Sequence, residues 1–405
     1  MVGIGTHNPV IGSAGSSDGR TMAPPKILFL SVSAGAGHMR AAEALRLTAE
    51  KNLPGVVTQH LDVMQYVPSA MRKLYTDFYI LLVNSYPTVW GMLYQRSADA
   101  DPDGPVHKFR RAVERLGTGD LRKAVNAFAP DAIVCTHFLP AEVLTHELRH
   151  GRLNIPIWVQ VTDFDLHAMW VIPGMTGFFA ASEEIAFRMR ANQIEPQRIH
   201  VTGIPVMPAF GDLHDRRECC RRFGLQPDRK TIMLMGGGAG VGKLDEVAGM
   251  LMQLKHDFQL IVLAGRNERA LQTLAVSHPG RLIPFGFTHD VAPLMACADL
   301  LITKPGGLTI SESLAVGVPM IVYAPIAGQE ERNADYLLEQ GAALKAIDTV
   351  SLEYRLDKLL ADTERLKRMR DCASNIGRPR AAQNVLDTVL AQLASIQPSL
   401  AAQDR

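Results

Sequence analysis

The sequence predicts an α/β protein with two doubly wound, parallel-sheet, Rossmann-like domains that face each other across a cleft. At 405 residues, the chain exceeds the ~250–300 residues at which a single core usually stops growing. Short apolar runs alternate with helical patterns, and this alternation restarts after residue 212, which is typical of two sets of βαβ units. Ligands of such folds bind at the carboxyl ends of the strands, so we expect a site in the cleft.

Composition and charge exclude several classes of protein. Hydrophobic residues make up 47% of the chain, charged residues 20%, and the net charge of +1 gives no bulk attraction to nucleic acid. The cysteines form no CxxC pair and lie mostly in apolar stretches, which indicates reduced core thiols in a cytoplasmic protein. Residues 1–24 are interpreted as a disordered leader, and no apolar stretch reaches the ~18–20 residues of a spanning helix.

The strands divide the chain into domains. The first domain is assigned to residues 25–206, with a helix at 41–52 and strands at 26–33, 131–137, 155–162, 177–182 and 198–203. The second is assigned to 207–378, with strands at TIMLMG, 258–265, 281–287, 298–304 and 319–325. Pro205 and Pro208 mark the linker between them. Residues 379–405 are predicted to form a C-terminal helix and tail that either half can accommodate, packing back on the first domain being one arrangement.

One glycine-rich turn, MLMGGGAGVGKL (233–244), follows a strand of the second domain. Its backbone N–H groups, those of Gly237 and Gly238 included, are candidates to hold phosphate oxygens. The turn is not a P-loop, because Leu244 stands where a Ser or Thr would reach Mg²⁺, and the GxGxxG spacing also fails. A tight turn that binds no ligand is the alternative.

A second glycine-rich turn, SVSAGAGHMRAAEAL (31–45), places Gly37 and His38 at the start of a helix in the first domain. A helix N-terminus disfavours imidazolium, so we expect His38 to be largely neutral and able to accept a proton. That is the property of a general base for a hydroxyl nucleophile. A purely structural histidine at a turn is the alternative.

The stretch KPGGLTISESLAVGVPMIVYAPIAGQEERNADYL (304–337) brings several polar groups close together. Backbone N–H groups at a helix N-terminus hold a diphosphate without a metal, and a carboxylate one turn later accepts hydrogen bonds from ribose hydroxyls. An amide and a carboxylate suit sugar hydroxyls, and an aromatic ring suits a base. Taken in order, the residues predict a pocket for a nucleoside-diphosphate sugar: Phe287 and Thr288 for the base, Gly307, Leu308 and Thr309 for phosphate, Glu312 for ribose, Gln329 and Glu330 for the sugar.

The same stretch resembles the donor-site signature of family 28 glycosyltransferases, a family that includes monogalactosyldiacylglycerol synthases and processive diacylglycerol glucosyltransferases. SAGAGHMRAAEAL and VTDFDLHAMWV (161–171) are similar to segments of the diacylglycerol branch, and the resemblance covers roughly residues 26–375. It implies a GT-B fold, a UDP-glucose or UDP-galactose donor, and inversion to a β-glycoside on diacylglycerol. Matched to the family, the residues above keep the roles already given, and His38 falls at the base or acceptor side. Gly238 stands where some relatives carry a Ser on the diphosphate.

Asp163-Phe164-Asp165 looks like the DxD metal motif of a different glycosyltransferase fold. This motif belongs to the first domain, whereas the phosphate turns lie mainly in the second, so we expect no metal or other cofactor. Asp165 and His167 are instead candidates, together with Gly37, for the acceptor side of the cleft, or for capping a helix.

Residues 64–111 combine aromatic side chains with cations, as in MQYVPSAMRKLYTDFYILLVNSYPTVWGMLY. Aromatic residues beside cations suit the headgroup boundary of an anionic membrane, which predicts a peripheral association with the inner face of the cell membrane. A helical pair that closes the core of the first domain is the alternative.

Three other functions are consistent with the same pocket. One is transfer of N-acetylglucosamine to a polyprenyl-diphosphate acceptor, and another is a UDP-sugar 2-epimerase, which needs no lipid. A nucleotide-sugar-binding protein without turnover is the third. The sequence leaves open which sugar is transferred, whether more than one is added, and the oligomeric state.

Overall fold

The computed structural model describes residues 23–33, 35–67, 118–236 and 244–403. The first of two six-stranded sheets has the order β2-β1-β3-β4-β5-β6, and all of its strand pairs are parallel. Its strands are β1 (Lys26–Ser31), β2 (Val57–Asp62), β3 (Ala132–Cys135), β4 (Ile157–Gln160), β5 (Gly177–Ala180) and β6 (Ile199–Val201).

The second sheet has the order β12-β11-β10-β7-β8-β9 and is also parallel throughout. Its strands are β7 (Lys230–Met235), β8 (Phe258–Gly265), β9 (Leu282–Gly286), β10 (Leu300–Thr303), β11 (Met320–Tyr323) and β12 (Ala343–Ala346). The order changes direction between β1 and β3 in one sheet and between β7 and β10 in the other. Such switch points are where doubly wound sheets bind ligands.

The helices of the first domain are α1 (Ala36–Asn52), α2 (Thr118–Phe128), α3 (Phe138–Arg149) and α4 (Glu183–Ala191). Those that follow are α5 (Arg216–Arg222), α6 (Leu244–Met252), α7 (Glu268–Ala275), α8 (Val291–Ala296), α9 (Gly307–Val316), α10 (Gln329–Glu339), α11 (Thr349–Ala361), α12 (Thr363–Ile376) and α13 (Ala381–Gln403). Among the described residues, no helix is both long enough and apolar enough to cross a membrane.

Helix starts fall into two chemical types. Several are capped by a side chain that accepts from a first-turn N–H, as Ser182, Asp215 and Asp348 do. By contrast, α1 and α9 begin after Gly35 and Gly306, and no side chain caps either of them. Their first-turn N–H groups are therefore left for another partner.

The central strands are buried on both faces, as expected of a parallel sheet covered by helices on each side. Every residue of β3, β4 and β5 is buried. On one face of the first sheet, Ile27 and Phe29 pack with Leu45 of α1 and with Val385 and Leu386 of α13. The last helix thus returns from the second domain to the first.

The predicted fold class is confirmed, and each predicted strand overlaps an observed one. The structure adds β2 and β12, which the sequence analysis missed, and it begins α1 five residues before the predicted 41. Residues 1–22 of the predicted leader and residues 68–111 of the predicted membrane segment lie outside the described residues.

Candidate functional site

The two switch points meet across the cleft. The guanidinium of Arg40 on α1 donates from Nη2 to Oε1 of Glu312 on α9, over 2.8 Å. A Cβ built on Gly37 would lie 3.9 Å from Cβ of Leu308. The glycine-rich turn of the first domain and the predicted phosphate turn of the second are therefore in contact.

His38 lies in the first turn of α1, and its Nδ1 is 3.0 Å from the carbonyl oxygen of Thr136 and 2.8 Å from Oγ1 of Thr162. A carbonyl only accepts, so Nδ1 carries the proton and Nε2 keeps a lone pair. Desolvation lowers the pKa of His38 to about 4, against the opposing effect of the Thr136 hydrogen bond. The imidazole is therefore neutral near pH 7, and its Nε2 is chemically able to accept a proton.

His137 was missed by the sequence analysis and packs edge-on against His38, with ring centroids 4.5 Å apart. Its Nδ1 accepts from the N–H of Leu139 and caps α3. Burial, with a smaller effect of His38, lowers the pKa of His137 well below its usual range. Two neutral imidazoles thus stand side by side. The sequence could have indicated His137, because the residues after β3 lie next to those after β1 in a doubly wound sheet.

Glu312 is a buried carboxylate, only 3% exposed, in the second turn of α9. Burial raises its pKa to about 7, although the charge and hydrogen bond of Arg40 act in the opposite direction. A buried carboxylate with one cationic partner keeps acceptor capacity for the vicinal hydroxyls of a ribose. Arg40 itself was not predicted, although it lies only two positions after His38.

The predicted phosphate turn enters α9, where Gly307 and Leu308 are buried and Thr309 is half-buried. Gly307 lies against the first domain: a Cβ there would stand 2.2 Å from the carbonyl oxygen of Thr162. This close approach accounts for a glycine at that position.

Gln329 and Glu330 begin α10 and are both half-buried. Oε2 of Glu330 accepts from the N–H of Ile326 over 2.7 Å, so part of its carboxylate serves its own loop. Burial raises the pKa of Glu330, while the Ile326 hydrogen bond and the charge of Lys304 oppose the shift. The side chain of Gln329 opposes the rise in the pKa of Asp163, a carboxyl group of the first domain.

Phe287 and Thr288 follow β9, at the same edge of the second sheet. The Phe287 ring is 61% exposed, with the Arg266 guanidinium 5.2 Å from its centroid. Oγ1 of Thr288 accepts from the N–H of Asp290. An exposed ring beside a cation offers a flat apolar surface of the kind a base stacks on. Gly237 and Gly238 lie outside the described residues, so their predicted role remains a prediction.

The motif Asp163-Phe164-Asp165 lies closer to the second domain than we expected from the sequence. The sequence analysis set it apart from the phosphate turns, but Asp163 is buried against the second domain, with Oδ1 3.5 Å from Nδ2 of Asn333. Burial raises the pKa of Asp163 to about 6, with Gln329 and Asn333 opposing the shift. Asp165 lies 3.8 Å from Arg188, measured from Oδ1 to Nη1.

His167 caps a short 3₁₀ turn, Ala168–Trp170, by accepting from the N–H of Met169 at Nδ1. This is one of the two roles that the sequence analysis gave it. Within the described ranges, no three or more His, Cys, Asp or Glu side chains are grouped so that they hold a metal ion.

Family models match both halves of the chain. The model described as monogalactosyldiacylglycerol (MGDG) synthase matches residues 38–206, and the glycosyltransferase family 28 C-terminal domain matches residues 231–385. The processive diacylglycerol beta-glucosyltransferase of Bacillus pumilus (strain SAFR-032) is 27% identical over 380 residues, covering 91% of this chain and 95% of the relative. The enzyme of the same name from Bacillus licheniformis is 26% identical over 379 residues, covering 90% and 94%.

Solved structures share the architecture at low sequence identity. The S. aureus MnaA–UDP co-structure has a TM-score of 0.60 at 14% identity and covers 91% of this chain and 97% of its own. Acinetobacter baumannii MurG has a TM-score of 0.57 at 16% identity, with 91% and 100% covered.

Two facing parallel sheets with a site between their switch points define the chain as a protein of the GT-B fold. Within this fold, the MGDG-synthase match in the first domain and the family 28 match in the second identify the chain as a glycosyltransferase. By its C-terminal domain the chain is a family 28 glycosyltransferase, and its first domain matches the model of monogalactosyldiacylglycerol synthases.

Proposed function

We propose that this glycosyltransferase moves a hexose from UDP-glucose or UDP-galactose to the hydroxyl of diacylglycerol, with inversion, giving a β-glycolipid. The observation that carries the proposal is the meeting of a neutral histidine with a donor-type turn. His38 offers the Nε2 lone pair beside the contact between Gly37 and Leu308. The relatives named above support diacylglycerol as the acceptor.

The chemistry follows from the positions of these groups. Nε2 of His38 takes the proton of the acceptor hydroxyl, and the hydroxyl oxygen bonds to the anomeric carbon of the sugar. The bond from that carbon to the diphosphate oxygen breaks on the opposite face, which inverts the configuration and releases UDP. The N–H groups of Gly307, Leu308 and Thr309 stabilise the charge that develops on the leaving diphosphate.

Binding of the donor is assigned to the second domain. Glu312 accepts from the ribose hydroxyls, Gln329 and Glu330 contact the hexose, and Phe287 with the Thr288 backbone holds uracil. Gly237 and Gly238 add backbone contacts to the diphosphate. In this proposal no metal is required, because helix N–H groups supply the positive end that a cation supplies in other folds.

The acceptor side is assigned to the first domain, at Gly37, Asp165 and His167. An acceptor with two acyl chains is met at a bilayer surface, so we propose peripheral attachment to the inner face of the cell membrane. Residues 64–111 supply that surface in this proposal, on the basis of their aromatic and cationic composition.

A product assay tests the proposal. Purified protein is incubated with diacylglycerol in anionic liposomes and, in parallel, UDP-glucose, UDP-galactose and UDP-N-acetylglucosamine. Lipid products are then separated and UDP release is counted. A glycolipid from one hexose donor supports the proposal and identifies the sugar.

Other outcomes contradict specific parts of it. UDP release without glycolipid keeps the donor site and overturns the acceptor. Product formed only from UDP-N-acetylglucosamine and a polyprenyl-diphosphate lipid would show transfer to that acceptor instead. Epimerisation of the donor without lipid would show a 2-epimerase instead. Binding of UDP without any turnover indicates a binding protein.

A further inference from the structure

An ion pair joins the helix of the proposed base to the helix of the proposed ribose ligand. Nη2 of Arg40 donates to Oε1 of Glu312 over 2.8 Å, although the two residues belong to different domains. The side chain of Glu312 is 4% exposed, whereas that of Arg40 is 40% exposed. The carboxylate is therefore buried in the second domain, and its cationic partner comes from the opposite side of the cleft.

The position of Arg40 is explained by Glu312 better than by its own domain. Nε of Arg40 is buried and has no hydrogen-bond partner in the part of the chain that the structure describes. A buried N–H without an acceptor is unfavourable, so this atom does not hold the side chain in place. The guanidinium gains instead the charge-assisted hydrogen bond to Glu312, which is stronger than a neutral one.

The elements packed against α9 supply few other charges near this carboxylate. They include α1, α8, α12 and the 3₁₀ turn Pro208–Phe210, and neither α8 nor the turn carries a charged side chain. On α12, Arg370 pairs with Asp299 over 3.5 Å, and the other charged residues of this helix are exposed. Asp163 approaches from the loop after β4, but it lies at Gly307, the first residue of α9.

On α1, Arg40 is the charge that acts on Glu312. Glu43 pairs with Arg46 along the same helix over 2.7 Å, and His38 is neutral because burial lowers its pKa to about 4. Burial raises the pKa of Glu312 to about 7, and the charge and hydrogen bond of Arg40 oppose this rise. Without Arg40, burial would act unopposed, and the carboxyl group would stay protonated to a higher pH.

The ion pair also leaves acceptor capacity on Glu312. An ionised carboxylate has about four acceptor positions on its two oxygens, and Arg40 uses one of those on Oε1. Oε2 is therefore available to the vicinal hydroxyls of a ribose. A protonated carboxyl group is the weaker acceptor, so the ionised form paired with Arg40 is the one that suits a diol.

We propose that Arg40 is a positioning residue for donor binding: its guanidinium reaches across the cleft and holds Oε1 of Glu312, so that the charged carboxylate presents Oε2 to the ribose hydroxyls of the UDP-sugar. This inference rests on the proposed function, since it takes Glu312 to be the ribose ligand. Donor binding then depends on a residue of the first domain, although the donor contacts are assigned to the second. Arg40 acts through Glu312.

Removal of the cation tests the inference. Arg40→Met keeps a long side chain and removes its charge. The readout is calorimetric titration with UDP and with 2′-deoxy-UDP between about pH 6 and pH 9, which needs no lipid. The two ligands share uracil and both phosphates, so the ratio of their affinities isolates the contact to the ribose 2′-hydroxyl.

In the unchanged chain, we expect UDP to bind roughly tenfold more tightly than 2′-deoxy-UDP above about pH 7, because the 2′-hydroxyl donates to a charged acceptor. In Arg40→Met, the ratio near neutral pH falls to within about threefold and recovers only about one pH unit or more higher. The shift is upward because a buried carboxyl group that has lost its cation ionises at higher pH. Arg40→Lys, which keeps the charge, should keep the ratio to within about threefold.

Arg46→Met is the matched control. It removes an arginine from the same helix, but the partners of Arg46 are Glu43 and Glu50 of that helix, at 2.7 and 3.0 Å. We expect it to change neither the affinities nor their ratio. If Arg40→Met does not fold, Arg40→Gln replaces it, because a neutral amide still donates to the carboxylate but carries no charge. The same upward movement of the pH profile is expected.

The inference is overturned if Arg40→Met keeps the preference for UDP over 2′-deoxy-UDP at every pH, or if it weakens both ligands equally. Tighter binding of UDP by Arg40→Met also overturns it, because Arg40 would then compete with the ribose for Glu312.

Failure of the proposed function gives different results. No preference for UDP in the unchanged chain, with Glu312→Gln equally indifferent, overturns the ribose assignment and this inference with it. Absence of glycolipid in the product assay, with the expected nucleotide pattern intact in titration, overturns diacylglycerol transfer alone and supports the role of Arg40.

Discussion

The turns that begin α1 and α9 look alike in sequence and present different chemical groups. Each joins a central strand to a helix through glycine, and neither helix is capped by a side chain. The first presents His38, whose Nδ1 is fixed so that Nε2 is free to take a proton. The second presents backbone N–H groups and the buried carboxylate of Glu312, which suit a diphosphate and a ribose.

The glycines themselves differ in purpose. Gly35 has φ of 103°, in the left-handed region that favours glycine, and an added Cβ would meet nothing within 4 Å. Gly307 is required by close approach, since its Cβ position is filled by the Thr162 carbonyl. One glycine shapes its own turn, and the other admits the opposite domain. In the proposed function, one turn therefore takes part in proton transfer and the other holds the negative charge of the diphosphate.

Removal of the His38 side chain is expected to have the largest effect, and to act on transfer but not on UDP binding. In His38→Ala we expect transfer to fall by about 10³-fold, because the general base is lost, while UDP affinity stays within about threefold. Turnover assays and calorimetric titration with UDP measure the two effects. His150→Ala, which changes an exposed histidine at the end of α3, is the matched control. Full activity of His38→Ala would remove this residue from the mechanism.

Addition of a methyl group at Gly307 tests whether the turns must meet. Gly307→Ala places a Cβ 2.2 Å from the Thr162 carbonyl, so we expect the domains to be pushed apart and turnover to fall roughly 100-fold. Kinetics with small-angle scattering measure activity and domain spacing. Gly249→Ala adds the same group in open space on α6 and is the control. Unchanged turnover in Gly307→Ala would show that the contact is dispensable.

Glu312 tests the donor turn alone. In Glu312→Ala, loss of hydrogen bonds to a charged acceptor should weaken UDP binding by about 10- to 100-fold. Titration with UDP measures it, and Glu364→Ala, on the exposed first turn of α12, is the control. UDP affinity equal to that of the unchanged chain would contradict the ribose assignment.

The pH dependence of UDP affinity is a second test of the assignment of Glu312 to the ribose. Burial raises the pKa of Glu312 to about 7, and only the ionised form accepts from both ribose hydroxyls. Affinity should therefore be constant above about pH 7 and fall toward about tenfold per pH unit below it. Titrations between pH 5.5 and 8.5 measure the slope, and Glu312→Gln should abolish that part of it. Ionisation of the terminal phosphate of UDP contributes equally to the pH dependence in both proteins. Titration of the Glu312→Gln variant measures that contribution alone.

Metal removal should have the smallest effect. If helix N–H groups hold the diphosphate, turnover in EDTA should match turnover in Mg²⁺ or Mn²⁺. The assay is the transfer reaction with each addition in turn, on protein first dialysed against chelator. A strict requirement for Mn²⁺ would mean that Asp163 and Asp165 serve a cation after all.

The strong apolar runs made the centre of each sheet predictable, whereas one edge strand of each sheet, β2 and β12, was missed. β2 reads VTQHLD, with four of its six residues polar, and β12 has only four residues, ALKA, one of them lysine. Edge strands are covered on fewer sides, so their sequences carry less of the apolar signal from which strands are predicted. The parallel order around β1 and β10 still follows from the predicted βαβ rhythm.

Contacts between the domains could not be predicted in the same way. Arg40 and Glu312 are 272 positions apart in the sequence, yet they share a hydrogen bond across the cleft. Asn333 lies four residues after Gln329 on α10, and the backbone N–H that donates to its Oδ1 is that of Phe164, 169 positions away. Periodicity indicates which face of an element is buried. It does not say which partner from the other domain covers it.

The return of α13 to the first domain gives the molecule two covalent bridges instead of one. The first passes Gly203 and the second passes Arg378, and a Cβ on Gly203 would come within 2.6 Å of the Arg378 side chain. The two bridges therefore run side by side, and farther along Gly211 lies against Pro379 in the same way. Any relative rotation of the domains must be absorbed by paired peptide segments at one place. We therefore expect this double connection to restrain twisting between the domains more than opening of the cleft.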